Sequence, residues 1–284
     1  MMRIQSSVKV HINKFTLIII LLLHYGNVFT QELIRVQGKI LNTSSVGIPF
    51  ASVSTKNKYG CIANEKGEFI INAGLDDSLY FSSVGYVHSS KSVSEITKNN
   101  NIIVLDSISY NLGELVVTNA PMETLNSRKK RIIRHGYRMT SNFWHGTVYL
   151  NKSLKNKQLL AVRFKAGFRG SPPLALRLGV FSLDERGFPK ENLLKKEVII
   201  PTTNKYEWKS VDLENQELLL NQDKLCVALE LINPSTGNLI LNEKYSPLIG
   251  TIESRDQYPV FITNKLNKWV KLGKSCPYFE LTIR

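Results

Sequence analysis

Between residues 34 and 106, apolar and polar positions alternate in short runs separated by turn-forming residues. Ile34-Arg35-Val36-Gln37-Gly38-Lys39-Ile40 alternates, Phe50-Ala51-Ser52-Val53-Ser54-Thr55 follows a Gly47-Ile48-Pro49 turn, and Phe69/Ile71 and Leu79/Phe81 repeat the pattern. A period of two is that of a half-buried strand. Val93-Ser94-Glu95-Ile96 and Asn101-Ile102-Ile103-Val104-Leu105 read as further strands. Between the runs, Asn64-Glu65-Lys66-Gly67 and Asp76-Asp77-Ser78 carry turn chemistry. Glycine takes the positive φ a tight turn needs, and Asn and Asp cap their own backbone. Strands about ten residues apart, punctuated in this way, predict a β-sandwich. Its centre is the stretch 60–87, which closes on a Val84-Gly85-Tyr86 step.

The alternation resumes after Trp144. Leu159-Leu160-Ala161-Val162-Arg163-Phe164 is one run. Leu174, Leu176, Leu178 and Val180 alternate with Ala175, Arg177 and Gly179. Asp184-Glu185-Arg186-Gly187-Phe188-Pro189 is a turn before Glu197-Val198-Ile199-Ile200 and Trp208-Lys209-Ser210-Val211-Asp212-Leu213. Leu225, Val227, Leu229 and Leu231 alternate again, and Phe279-Glu280-Leu281-Thr282-Ile283 predicts a last strand tucked into a sheet. The pattern predicts an all-β chain of two sandwiches. Between them, residues 123–140 concentrate Arg128, Lys129, Lys130, Arg131, Arg134 and Arg138, with Leu125, Ile132, Ile133 and Tyr137 on part of one helical face. This predicts a short basic helix or linker, either solvated between the domains or resting on an anionic membrane surface.

A length of 284 residues suits two domains, and 43% hydrophobic with 21% charged residues suits ordinary cores. The boundaries implied are 1–30, 31–110, 111–143 and 144–284. The first is read as a signal peptide: Lys9 and Lys14 precede a nine-residue apolar run from Phe15 to Leu23, with small residues toward Thr30 and Gln31. That run is too short to span a bilayer as a helix, which takes about 20 residues. Cleavage after Thr30 is expected, which places the mature chain in the periplasm or at the outer membrane, an uncleaved anchor being the alternative. The net charge of +14 comes with no nucleic-acid reader motif, so no nucleic-acid partner is expected. Of Cys61, Cys226 and Cys276, the last two share a predicted domain and would either bridge or remain buried thiols.

The order V-x-G-x-I, G-I-P-F-A-S-V, G-C-I-A-N-E-K-G-E-F-I-I, L-Y-F-S-S-V-G-Y, I-I-V-L resembles the carboxypeptidase-regulatory-like domain. The resemblance rests on Gly38, Pro49, Ala51, Gly60, Asn64, Gly67, Phe69, Phe81, Gly85 and Tyr86, with Asn64 where that family usually has Asp. It implies a seven-stranded immunoglobulin- or transthyretin-like sandwich of the kind found in Gram-negative envelope proteins, and no activity. The strings L-R-L-G-V-F-S-L-D-E-R-G-F-P, W-K-S-V-D-L and V-A-L-E-L-I resemble the jelly-roll-like sandwich that often accompanies it. Leu112-Gly113-Glu114-Leu115-Val116-Val117-Thr118-Asn119-Ala120-Pro121 is similar to the segment before the plug of TonB-dependent receptors. Too little chain follows it for a barrel, so a linker is expected.

Candidate chemistry is sparse. Beyond the leader the histidines are His88, His135 and His145, none in H-x-x-E or H-E-x-x-H, so neither a zinc peptidase nor another metal site is expected. There is no G-x-S-x-G and no phosphate-cradling glycine loop. Asp184/Glu185 and Asp212/Glu214 pair only by sequence proximity and read as turn and strand-end residues. The expectation is a non-catalytic, cofactor-free envelope protein acting as a structural or interaction module. Its partner would be an envelope protein or glycan, with anionic membrane contact through Arg128, Lys129, Lys130 and Arg131. The alternative is a carbohydrate-binding accessory protein using the C-terminal sandwich, where Tyr206 and Trp208 are the candidate glycan contacts.

Overall fold

The computed structural model describes residues 33–56, 60–108, 121–125, 133–139, 143–151, 154–167, 174–233, 247–253, 260–263, 269–272 and 275–284. The predicted leader, the segment 112–120 and Arg128, Lys129, Lys130 and Arg131 lie outside the described residues. What is described is overwhelmingly β, as the alternation predicts.

The first sandwich pairs a three-stranded with a four-stranded sheet. Strands β1 (Leu33–Asn42), β4 (Glu68–Gly74) and β7 (Ile102–Leu105) form one, with β1 and β7 parallel. Strands β2 (Ser52–Thr55), β3 (Gly60–Ile62), β5 (Ser78–Ser82) and β6 (Ser89–Ser92) form the other. Val36, Ile40, Val53, Phe69, Ile71, Leu79 and Phe81 meet between them, with the Phe69 and Phe81 rings edge to face at 5.7 Å. The turn before β4 is built as its residues dictate. Asn64 Oδ1 accepts from the Lys66 and Glu68 amides at 2.9 Å, and Gly67 takes φ +77°.

One element departs from expectation. Val93-Ser94-Glu95-Ile96 is not a strand but the start of helix α1 (Val93–Lys98). Ser92 accepts from the Glu95 amide at 3.2 Å, and the Glu95 carboxylate accepts from the Ser92 amide at 3.1 Å. This capping box satisfies donors that β-branched propensity would otherwise have left to a sheet. Val93 and Ile96 are buried in the sandwich core.

The second sandwich places a seven-stranded sheet against an eight-stranded one. Its basic lead-in is also a correction: β8 (Glu123–Leu125) and β9 (Ile133–Arg138) are strands, not a helix. Strand β9 pairs with β18 (Leu248–Glu253), and the register shifts between Ile249 and Thr251, opposite the interval that contains Gly136. A glycine that interrupts a helix serves in a strand as the place for a bulge. The seven-stranded sheet centres on β10 (Trp144–Leu150), β17 (Lys224–Ile232) and β12 (Ala175–Leu183), with β14 (Val198–Pro201) beside β12. The other centres on β11 (Lys157–Gly167), paired to β15 (Glu207–Asp212) and β22 (Phe279–Ile283), the latter lying between β11 and β8. Leu176, Leu178, Val180, Val227, Leu229 and Leu231 face Val162, Phe164, Phe279 and Leu281 across an apolar core. Buried hydrogen bonds tie the sheets: Thr147 Oγ1 donates to the Pro277 carbonyl at 2.7 Å, and the Tyr149 hydroxyl accepts from the Phe279 amide at 3.1 Å and donates to the Phe279 carbonyl at 3.2 Å.

Cys226 is a free thiol, so it does not bridge to Cys276; it sits on β17, whereas Cys276 sits on β21 (Ser275–Pro277) in the other sheet. Cys61 is likewise free and buried, which pushes its thiol up to about 12 and leaves it unreactive.

Gly67 and Gly187 separate two costs of replacing a glycine. Both have φ near +80°, but a Cβ on Gly187 would meet nothing, whereas on Gly67 it would lie 2.5 Å from the Ile40 carbonyl. Gly187→Ala should cost about 1 kcal/mol and Gly67→Ala about 3 kcal/mol or more, read by urea unfolding. Equal losses would contradict this packing.

Candidate functional site: the junction between the sandwiches

The central strand β12 is buried along nearly its whole length, on both faces. The inner face is the core described above. On the outer face, residues from three strands stand in rows set by register. Gly179, Ala228 and Gly146 form one, and Arg177, Glu230 and Trp144 the next. The small row makes a trough in which aromatic rings lie. A Cβ on Gly179 would come 2.7 Å from Cζ3 of Trp144 and 2.4 Å from the Phe181 ring. Trp144 meets Phe181 edge-on at 5.2 Å, and Phe181 meets Trp269 at 5.3 Å.

Arg177 is 3% exposed and Glu230 5%. The guanidinium Nε donates to Glu230 Oε2 at 2.8 Å, and Nη2 reaches the same oxygen. Its remaining donors cross to the first sandwich: Nη1 to the Phe50 carbonyl at 2.7 Å and Nη2 to Ser52 Oγ at 3.3 Å. The Trp144 ring covers the guanidinium 5.0 Å from its centroid. Burial opposes the Arg177 charge, but Glu230 and Glu197 outweigh it and hold its proton above the usual range.

Around this ion pair the two sandwiches share apolar contacts. Phe50 and Ile62 pack with Ala175 and Ile232, against Ile199. Phe50 holds φ +57°, a left-handed conformation that a bulky residue keeps only where its surroundings over-determine it. The Val84-Gly85-Tyr86 step is the second contact. Val84 packs on the core of the second sandwich and Tyr86 on that of the first. Gly85, at φ +82°, brings the backbones so close that a Cβ would lie 2.9 Å from the Lys195 carbonyl.

Glu197 lies beside this contact. Its Oε1 is 3.5 Å from Arg177 Nη1, while Oε2 is buried without a partner. Burial first, and then the like charge of Glu230, push its carboxyl above the usual range, against the pull of Arg177 and the Val84 amide. Next to it the two sandwiches enclose a cleft of about 860 Å³ whose lining includes Ser83, Tyr86, Trp144, Arg177 and Glu197. Ser83 Oγ is also buried without a partner.

The residues singled out from sequence lie elsewhere. Trp208, 37% exposed, stands on the outer face of the eight-stranded sheet, with the Arg163 guanidinium 4.9 Å from its ring and Tyr278 edge-on at 6.3 Å. Tyr206 precedes it with Lys165 Nζ at 4.7 Å from its ring. Its hydroxyl is buried and unpartnered, turned toward Gly250, and burial raises its pKa. His88 is exposed at the cleft, His145 is buried within β10, and His135 lies on β9. Among the described residues, no three His, Cys, Asp or Glu side chains gather as a metal site would need. The junction residues Phe50, Ser52, Arg177, Glu197 and Glu230 were not singled out. One signal was available. The outward positions of β12 and β17 carry Ala175, Gly179, Phe181, Cys226, Ala228 and Ile232, too apolar for a face open to water.

No family model matches the chain, and no curated protein matches it in sequence.

Two predictions follow from the ion pair and its neighbour. Arg177→Met leaves the Glu230 carboxylate buried without its partner and should cost about 3–5 kcal/mol, whereas Arg177→Met combined with Glu230→Leu should recover most of that. Urea unfolding of the three proteins decides; a double variant no better than the single one would refute the pairing. Glu197 titrates in the opposite sense to a paired acid. Because its folded pKa lies above the ordinary 4.5, the fold bears no penalty below 4.5 and loses stability as pH rises through the folded value. Glu197→Gln keeps an acceptor for Arg177 and removes the charge. Its melting temperature should match the natural chain at pH 4 and exceed it by pH 8, and a difference independent of pH would contradict this.

Proposed function

We propose that the chain is an exported, non-catalytic envelope protein acting as a structural or interaction module. The observation that supports this best is the use made of its most deeply buried charge. Among the described residues, the hydrogen-bond partners of Arg177 belong to the junction itself: Glu230, Glu197, the Phe50 carbonyl and Ser52. Its guanidinium is spent on holding two sandwiches together, which is the work of a scaffold. The basic, apolar leader and the resemblance of the first sandwich to carboxypeptidase-regulatory-like domains support the envelope as its place. The basic run at Arg128, Lys129, Lys130 and Arg131 would add contact with an anionic membrane surface.

A second reading has its own observation. Trp208, half-open on the outer face beside Arg163, Lys165 and Tyr206, is an aromatic surface of the sort that stacks on a sugar. In that reading the protein is a carbohydrate-binding accessory.

Fractionation of cells making the full chain, followed by cross-linking and affinity capture, tests the first reading. The expected outcome is a chain shortened at Thr30 in the envelope fraction, with one protein partner recovered in stoichiometric amount. A chain of full length in the cytoplasm would overturn it.

A further inference from the structure

The outer face of the eight-stranded sheet carries rings and cations in rows set by register. Trp208 stands opposite Lys165, and Arg163 stands between Ser210 and Glu280. The Trp208 ring is held by the Arg163 guanidinium at 4.9 Å and by the Tyr278 ring at 6.3 Å, and the residue still keeps 37% exposure. Tyr206 lies against the sheet where two glycines make room for it. A Cβ on Gly167 would lie 2.5 Å from Tyr206 Cα, and one on Gly250 3.1 Å from its hydroxyl. An aromatic surface fixed in this way is ready to stack on a sugar ring.

The charges on this face bear on which sugar it takes. Arg163, its side chain 47% exposed, gives one donor to Glu280 at 3.0 Å. Lys165 Nζ lies 4.7 Å from the centre of the Tyr206 ring and, among the described residues, meets no carboxylate. A ring attracts a cation without neutralising it. Of the acids on the face, Glu280 is taken by Arg163, while Asp212 stands opposite Ala161 and accepts from the Glu214 amide. Lys165 is therefore a cation without a counter-charge directly beside an open indole. Two positions apart on one face of β11, Arg163 and Lys165 have backbones about 7 Å from each other. Ser210 and Thr282 add hydroxyl groups to the same face. A single nucleic-acid strand needs open rings for successive bases, and Tyr278 is only 4% exposed.

We propose that this face binds an acidic polysaccharide, with a uronate ring stacked on Trp208 and its carboxylate on Lys165. This deepens the carbohydrate-binding reading of Tyr206 and Trp208 and rests on it.

Isothermal titration of the full chain tests it, with trigalacturonate and trimannuronate as probes, each beside its own methyl ester. Esterification removes the charge and keeps the sugar. At least one free acid should bind at millimolar concentration or below, about tenfold more tightly than its ester. Raising the salt to about 1 M should erase most of that difference. Lys165→Gln should bring acid and ester to equal affinity, and Trp208→Ala should abolish binding of both. Lys165 is half-buried on the outer face, so its replacement leaves the core alone and the test does not depend on Trp208→Ala folding. Equal binding of acid and ester by the natural chain overturns the proposal and leaves the carbohydrate reading standing. Absence of binding by all four probes overturns both. An acid preference that survives Lys165→Gln overturns the proposal, and so does oligothymidylate or polyglutamate bound as tightly as the free acids.

Discussion

A guanidinium buried to 3% exposure must be matched, because an uncompensated charge away from water costs several kcal/mol. Arg177 meets that demand from two directions. Glu230 supplies the counter-charge from the neighbouring strand, and Phe50 and Ser52 supply neutral acceptors from the other sandwich. The second sandwich alone would leave two of those contacts unmade and expose the Ala175, Ile232 and Arg177 rows to water. The sandwiches therefore depend on each other through this side chain as well as through the apolar contacts around it. A pair of well-packed apolar residues would serve stability as well. What the ion pair adds is direction, since its donors fit one docking position.

The surrounding sequence makes room for that side chain. Gly146, Ala228 and Gly179 lower the sheet surface so that Trp144 lies flat beside the guanidinium rather than standing off it. Gly85 lets the first sandwich approach the Lys195 carbonyl, and Phe50 accepts a left-handed backbone to present its own carbonyl. Close approach also explains the cleft. Sandwiches held at a pair of contacts leave a space beside them, lined by Ser83 and Tyr86 from one and Trp144, Arg177 and Glu197 from the other.

How much of this was legible follows from where each signal lies. Strands were legible because period-two alternation is local: Phe69/Ile71, Leu79/Phe81 and Leu225 to Leu231 are buried where the pattern puts them. The Asn64 to Gly67 turn was legible for the same reason. Helix α1 was misread because its β-branched residues resemble a strand, and the Ser92/Glu95 box that decides it spans only four residues. Residues 133–138 suit either helix or strand by their basic, partly apolar pattern, and pairing with β18 chose the strand. The junction was not legible. Phe50 looks like a strand residue and Gly85 like a turn glycine, and the Arg177 bond to Phe50 joins residues 127 positions apart. Only the apolar outward positions of β12 and β17 hinted that something covers them.

The central claim is that the Arg177 junction holds both sandwiches as one body. Residual dipolar couplings on the backbone amides of the full chain test it most directly. The account predicts that couplings from residues 33–108 and from residues 143–284 fit a single alignment tensor. Two tensors of different magnitude would show sandwiches that tumble independently, and would contradict it.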